Sequence, residues 1–228
     1  MTLLALANEI GAGAGRGLDH SVAHVRLDWW RAEAERYQRR QPQHPWLRAL
    51  LAAQQPQQPQ QPQPAAAGQF DLQPLVDAAA IDLATTTFGM QPPGAADSLS
   101  LAGAALPGAV FGQLERLLRP APEPAPPPQL QRAICDLGRL ADELERLSRG
   151  AGTSSVLDAL RLQVAAIDGA LQPRLAPLLV WVALIARRAH RQMQRRGARN
   201  LPALDALADN IVAWNSARRA ARGRFRID

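Results

Sequence analysis

Cysteine is nearly absent from this 228-residue chain, and lysine is absent altogether. The single cysteine, Cys135, excludes an internal disulfide framework and a cysteine-rich zinc site, and it fits a reducing compartment. Aromatic residues make up only 4% of the chain, β-branched residues are scarce, and alanine and leucine supply most of the apolar content. Because that balance favours helices and disfavours a sheet, we expect an all-α protein.

Arginine is the only strongly basic residue type in the chain. All 26 basic residues are arginine, and 20 acidic residues leave a net charge of +6. So many arginines would suit a polyanion site, because a guanidinium group binds phosphate with two parallel hydrogen bonds. GC-rich codon usage is the alternative cause, since it enriches Arg, Ala, Gly and Pro together. The densest arginine cluster, 218–226, suits contact with anionic lipid. No helix-turn-helix, zinc-finger or RNA-binding motif accompanies it, so we do not expect nucleic acid binding.

The sequence has no convincing targeting segment and no membrane span. The apolar run at the N-terminus has no basic region before it and ends at Asn8 and Glu9. The longest apolar run, 175–186, contains Pro177 and is far shorter than the roughly 18–20 residues that a bilayer span needs. We predict a buried helix there and a cytoplasmic protein, with peripheral contact to the inner membrane through the arginine cluster left open.

Helical patterns alternate with two low-complexity stretches. The Gln/Pro-rich segment 54–68 and the Pro-rich segment 120–128 cannot hold regular helices, so both are predicted to be exposed spacers. Helical periodicity marks 72–83, 99–118, 130–147, 154–196 with a break near Pro173 and Pro177, and 201–222. No internal repeat or alternating strand pattern is present. We therefore predict one domain over 1–228, a bundle of about seven or eight helices.

Two neighbouring tryptophans form the most informative motif. Residues 25–31 read Val-Arg-Leu-Asp-Trp-Trp-Arg, and an apolar stripe at helical spacing runs through Leu27, Trp30, Ala34 and Tyr37. Pro42 and Pro45 are predicted to end this helix and to start the next, which opens with His-Pro-Trp at 44–46. We expect Trp29 or Trp30, together with Trp46 and Trp181, to contribute to the core.

The order of these motifs resembles the squalene/phytoene synthases, in which an Arg-Leu-x-Trp-Trp-Arg stretch precedes a His-Pro that opens the next helix. Residues 75–83 resemble the family's Leu-Ile-x-Gly-x-x-x-Asp-Leu run. The glycines at 103, 108 and 112 resemble small residues that allow close packing around the prenyl cavity. Residues 178–184 resemble the C-terminal helix of a divergent bacterial branch, which is also similar to a mitochondrial complex I assembly factor. The resemblance implies an isoprenoid-synthase-like helical bundle.

The resemblance also implies where a catalytic site would stand. Active members condense two prenyl diphosphates, using magnesium ions held by two aspartate-rich motifs on facing helices. Carboxylates at i, i+3 or i+4 are needed so that several oxygens converge on a hard cation. The place of the first motif holds Asn8 and Glu9, a single carboxylate. The remaining candidate acids are Asp136, Asp142 and Glu143 for the second motif, and Asp77 and Asp82 elsewhere.

Arginines stand at helical spacing from most of the second-motif acids, as in Asp136 with Arg139 and Asp142 with Arg146. We therefore interpret both motifs as eroded and assign no catalytic or metal-binding residue. His20 and His24, at i and i+4, lack a third ligand nearby in sequence, and packing or solvent-facing roles fit them better.

The predicted function is a non-catalytic squalene/phytoene synthase-like protein, without a cofactor, that binds a prenyl or lipid chain or acts as an assembly factor on a protein partner. Two alternatives stay open. One is an active transferase that condenses prenyl diphosphates with Mg²⁺ at a rearranged site. The other is a purely structural helical protein.

Overall fold

The computed structural model describes residues 2–13, 19–53, 70–88, 105–119, 124–147, 153–194 and 202–227. All regular structure in these ranges is helical, which confirms the all-α prediction; they hold nine helices where about seven or eight were predicted. The helices are α1 (Thr2–Gly13), α2 (His20–Gln38), α3 (Pro45–Ala53), α4 (Gln73–Phe88), α5 (Ala105–Leu118), α6 (Pro128–Leu147), α7 (Thr153–Ala165), α8 (Ala176–Gln194) and α9 (Pro202–Ala221). None of these helices is long and apolar enough to cross a bilayer.

The chain divides into two compact units, an N-terminal unit (Met1–Ala125) and a C-terminal unit (Pro126–Asp228). The assignment of 1–228 to one domain stays a prediction. In the N-terminal unit the predicted stripe of α2 is confirmed, since Leu27, Trp30, Ala34 and Tyr37 are all buried. Apolar side chains of α1 and α4 complete this core, among them Leu6, Ile10, Leu75, Val76 and Ala79. The predicted boundary also holds, because α2 ends at Gln38 and α3 begins at Pro45.

Asp82 on α4 fixes where α5 begins. Its Oδ1 accepts a hydrogen bond from the backbone N–H of Ala105 at 2.7 Å, and its Oδ2 accepts one from Leu106 at 2.9 Å. These are two of the N–H groups that a helix start leaves without an intrahelical acceptor. The predicted helix start at 99 and Gly103 lie outside the described residues, whereas Gly108 is buried on α5.

In the C-terminal unit α6 covers the predicted helix 130–147 and buries one apolar face, formed by Leu130, Ile134, Leu137, Ala141 and Leu144. The predicted buried helix over 175–186 corresponds to the first part of α8, which buries Leu178, Leu179 and Val182. The spacer predicted at 120–128 is wrong at its end, because Pro126 is buried and Pro128 is the first residue of α6. Proline is favoured at this helical position, where its missing N–H costs nothing. Residues 120–123 and the spacer 54–68 lie outside the described part of the chain.

A short C-terminal strap, residues 222–226, follows α9 and packs against the connection between α7 and α8. Gly223 adopts a left-handed conformation with φ of 64°. A Cβ on Gly223 would lie 2.5 Å from the carbonyl oxygen of Gly169, so the two backbones approach too closely for a side chain. Phe225 is buried, and its N–H donates to Oε1 of the buried Gln172 at 2.6 Å. The strap is therefore held by both packing and hydrogen bonding.

Candidate functional site

Three helices of the N-terminal unit bring five side chains into one tryptophan–histidine cluster: Glu9 of α1, Trp29 and Trp30 of α2, His44 before α3, and Trp46 of α3. The buried Trp30 ring lies 5.1 Å from the His44 ring and 5.0 Å from the Trp29 ring, centroid to centroid. Trp29 and Trp46 lie 6.2 and 6.4 Å from His44. The tryptophan motif at 25–31 and the His-Pro at 44–45 therefore meet in space.

Trp29 and Trp46 flank His44 at the surface, with 41% and 44% of their surface exposed. The prediction of a core position for Trp46 is wrong, and the physical reason is local. Leu47 is fully buried, so the next residue along the helix, and not Trp46, supplies the inward side chain of α3. Trp181 is partly buried on α8.

Glu33 holds the loop that carries His44. Its side chain is fully buried, and Oε1 accepts hydrogen bonds from the backbone N–H groups of Gln43 and His44, each at 2.7 Å. Its Oε2 accepts a third from Nε of Arg36, also at 2.7 Å. A buried carboxylate with three donors is satisfied, and it fixes the backbone to which it is bonded.

Sequence reasoning did not identify this role of Glu33. Its spacing could have indicated it, because Glu33 stands three residues after Trp30 and four before Tyr37, both of which are buried. A charged residue inside an apolar helical stripe needs a partner, and here the partners come from the next loop.

The hydrogen bonds of His44 define which nitrogen carries its proton. The backbone N–H of Trp46 can only donate, and it points to Nδ1 of His44 at 3.3 Å. Nε2 therefore bears the hydrogen in the neutral ring and donates to the half-exposed Glu9 carboxylate at 3.2 Å. Glu9, the lone acid at the place of the first motif, is thus a partner of His44, and Asn8 lies on the exposed side of α1.

The candidate acids of the second motif pair with arginines on their own helix, as the sequence predicts for Asp136 and Asp142. Asp136 lies 3.6 Å from Arg139, while Asp142 and Glu143 lie 2.8 and 2.6 Å from Arg146. Asp142 and Glu143 are both half-buried on α6. Burial raises the pKa of Asp142 above its ordinary value, and the neighbouring Arg146 opposes that shift.

The other candidate residues are also engaged locally. Asp77 accepts a hydrogen bond from Nε2 of Gln73 at 2.8 Å, and Asp82 caps α5. His20 and His24 bond to each other, with 2.9 Å between their Nε2 atoms. Within the ranges that the structure describes, no three His, Cys, Asp or Glu side chains are placed to hold one metal ion.

Cys135 is partly buried on α6, and burial raises the pKa of its thiol above the ordinary value. A thiol that stays protonated is a weak nucleophile, so the position of Cys135 suits an apolar packing residue.

Comparison of the chain with protein-family models, with curated proteins and with solved structures finds no match. The resemblance to squalene/phytoene synthases therefore rests on the sequence motifs, and it stays a prediction.

Proposed function

We propose that this chain is a non-catalytic helical protein of the squalene/phytoene synthase type, which binds a prenyl or other lipid chain or acts as an assembly factor on a protein partner. The observation that carries the proposal is the pairing of the candidate acids. Glu9 bonds to His44, and the second-motif acids pair with arginines one turn away. A magnesium–diphosphate site instead needs several carboxylate oxygens free to converge on one cation.

An exposed apolar surface favours a binding role over a purely structural one. Val22, Val25 and Trp29 recur at helical spacing on α2 and are all exposed, and Trp46 lies on the other side of His44. This face of α2 is distinct from the buried stripe, so the helix is apolar on two sides. Trp29 stands on a helix, and Trp46 follows the His44 backbone that Glu33 holds; half-exposed tryptophans in such places are anchors of the kind that apolar partners contact.

The absence of catalysis is tested by measuring pyrophosphate release from farnesyl and geranylgeranyl diphosphate, with and without Mg²⁺, using the full chain. We expect no magnesium-dependent release. Robust turnover that disappears in Glu9→Ala or Asp136→Ala would contradict the proposal and would support an active transferase with a rearranged site.

The binding role is tested by thermal shift with farnesol, geranylgeraniol and their diphosphates. A ligand that binds only the folded state raises the unfolding free energy by RT ln(1 + [L]/Kd), so stabilisation should grow with ligand concentration. Trp29→Ala and Trp46→Ala should reduce this stabilisation, whereas Ile81→Ala, an exposed apolar residue on α4, should not. Equal stabilisation in all variants would mean that the ligand binds elsewhere. No stabilisation in the wild type would contradict lipid binding and leave the assembly role and the purely structural alternative.

A further inference from the structure

Helix α9 separates its charges onto two faces. Its acids turn toward α8, where Asp209 accepts from Nη2 of Arg191 at 2.7 Å and from Nε of Arg187 at 3.1 Å. Asp205 lies 3.1 Å from Nη1 of the same Arg191. Both acids of α9 that the structure describes are thus offset by cations of α8, and the opposite side of the helix is left to other residues.

Along the chain, that opposite side carries apolar residues first and arginines after them. Ile211 is 52% exposed and Trp214 is 60% exposed. One turn later, the guanidinium of Arg218 stacks over the Trp214 ring at 4.5 Å from its centroid, and Arg222 follows after another turn. We call this the α9 outer surface; it comprises Ile211, Trp214, Arg218 and Arg222, and the exposed Arg224 and Arg226 of the C-terminal strap follow it along the chain.

The strap keeps its two arginines next to the helix end. Phe225 between them is buried and bonded to Gln172, so the neighbouring side chains at 224 and 226 are directed outward from an anchored backbone. A loosely attached basic tail would lose conformational entropy on binding, whereas this segment is already ordered.

We propose that the α9 outer surface docks the protein on an anionic lipid bilayer. Tryptophan and isoleucine enter the boundary between headgroups and acyl chains, and the arginines bind the headgroup phosphates. Charge complementarity selects this partner, because the exposed Arg218 and Arg222 stand on the helix side opposite the acids that turn inward to α8, and the exposed Arg224 and Arg226 follow in the strap. A nucleic acid backbone would use the arginines but would leave Ile211 and Trp214 without a role. The inference concerns the C-terminal unit alone and does not depend on the proposed function.

The test is co-sedimentation of the full chain with vesicles of phosphatidylcholine alone or mixed with phosphatidylglycerol. Binding should require phosphatidylglycerol and should weaken at high salt, which screens surface charge. Arg218→Ala/Arg222→Ala should lower the partition coefficient by about 30-fold, since each arginine near the surface contributes about fivefold. The matched control, Arg132→Ala/Arg161→Ala, has the same net charge of +4, from +6 minus 2, and should bind nearly as well as the wild type.

The apolar contribution is tested separately. Ile211→Ala/Trp214→Ala should lower binding by about tenfold, through the lost apolar burial, while Leu162→Ala on α7, where the residue is 73% exposed, should have no effect. Circular dichroism confirms that each variant folds. Equal binding to neutral vesicles, or equal losses in the control variants, would overturn the proposal. Tighter binding to duplex DNA or RNA than to vesicles, unaffected by Trp214→Ala, would also overturn it in favour of a nucleic acid partner.

Discussion

Replacing the buried Glu33 by alanine should destabilise the N-terminal unit, because it releases the loop between α2 and α3 that this carboxylate holds. The substitution removes the carboxylate that accepts hydrogen bonds from two backbone N–H groups, those of Gln43 and His44, and from Nε of Arg36. Leaving a buried donor without a partner costs about 1–3 kcal/mol, and water entering the gap recovers part of that cost. We expect Glu33→Ala to lower the free energy of unfolding by about 3–4 kcal/mol. Chemical denaturation followed by circular dichroism and tryptophan fluorescence measures this difference.

Two further variants decide whether the reasoning holds. Glu35→Ala, on the same helix, removes an exposed carboxylate 3.4 Å from Arg39 and should cost less than about 0.5 kcal/mol. Glu33→Gln keeps one carbonyl oxygen that can accept both N–H groups, so its cost should be intermediate, about 1–2 kcal/mol. If Glu33→Ala is no more destabilising than Glu35→Ala, this carboxylate does not hold the loop.

Three other predictions follow from the C-terminal unit. Asp209→Ala should lower the free energy of unfolding by about 1–3 kcal/mol, because it leaves Arg187 and Arg191 of α8 without this partner. Gly223→Ala should lower it by at least about 2 kcal/mol, since the φ of 64° and the close Gly169 backbone both oppose a side chain. Asp142→Asn should stabilise the protein at neutral pH, and this advantage should shrink as the pH falls toward 3.8, the ordinary pKa of the carboxyl.

The sign of the last prediction follows from linkage. Burial raises the pKa of Asp142 in the folded state, so the folded protein binds a proton at this carboxyl more readily than the unfolded chain does. The free energy of unfolding of the wild type therefore rises as the pH falls through the raised pKa. Asparagine carries no charge at any pH and loses nothing at neutrality. Urea titrations across the pH range measure the difference, with Asp158→Asn as an exposed control. If the stability difference between wild type and Asp142→Asn does not vary with pH, burial does not raise the pKa of Asp142. If Asp209→Ala is no more destabilising than Asp158→Asn, Asp209 does not stabilise the pair of α8 and α9.

The buried faces of the helices could be predicted because apolar residues recur every three or four positions along each helix. The stripe of Leu27, Trp30, Ala34 and Tyr37 is buried as its spacing predicts, and so is the apolar face of α6. Helix beginnings were less accessible: Pro128 starts α6, although it lies in a proline-rich stretch that the composition assigns to a spacer. Composition averages over a segment, whereas a helix start depends on which proline stands at the first helical position.

The tryptophan–histidine cluster could be predicted only in part, because its polar contacts join distant positions. The motif at 25–31 and the His-Pro at 44–45 drew attention to the right segments. The bond from His44 to Glu9 spans 35 residues, and the Asp82 cap on α5 reaches 23 residues along the chain to Ala105. Such pairs depend on how helices pack, so a carboxylate that suits a metal motif by position can instead serve as a cap or as a histidine partner.

The close approach of Gly169 and Gly223 has a consequence for sequence variation. A Cβ at either position would lie under 3 Å from the carbonyl oxygen of the other, so each glycine constrains its partner across more than fifty residues of chain. Once one alanine has forced the backbones apart, the second meets less steric conflict, although an alanine at 223 still carries the strain of the left-handed φ. The double variant should therefore be epistatic, with a cost below the sum of the single ones. Alanine substitution would therefore be costly at both positions, although neither carries a side chain. Substitutions at 169 and 223 should accordingly be coupled in evolution.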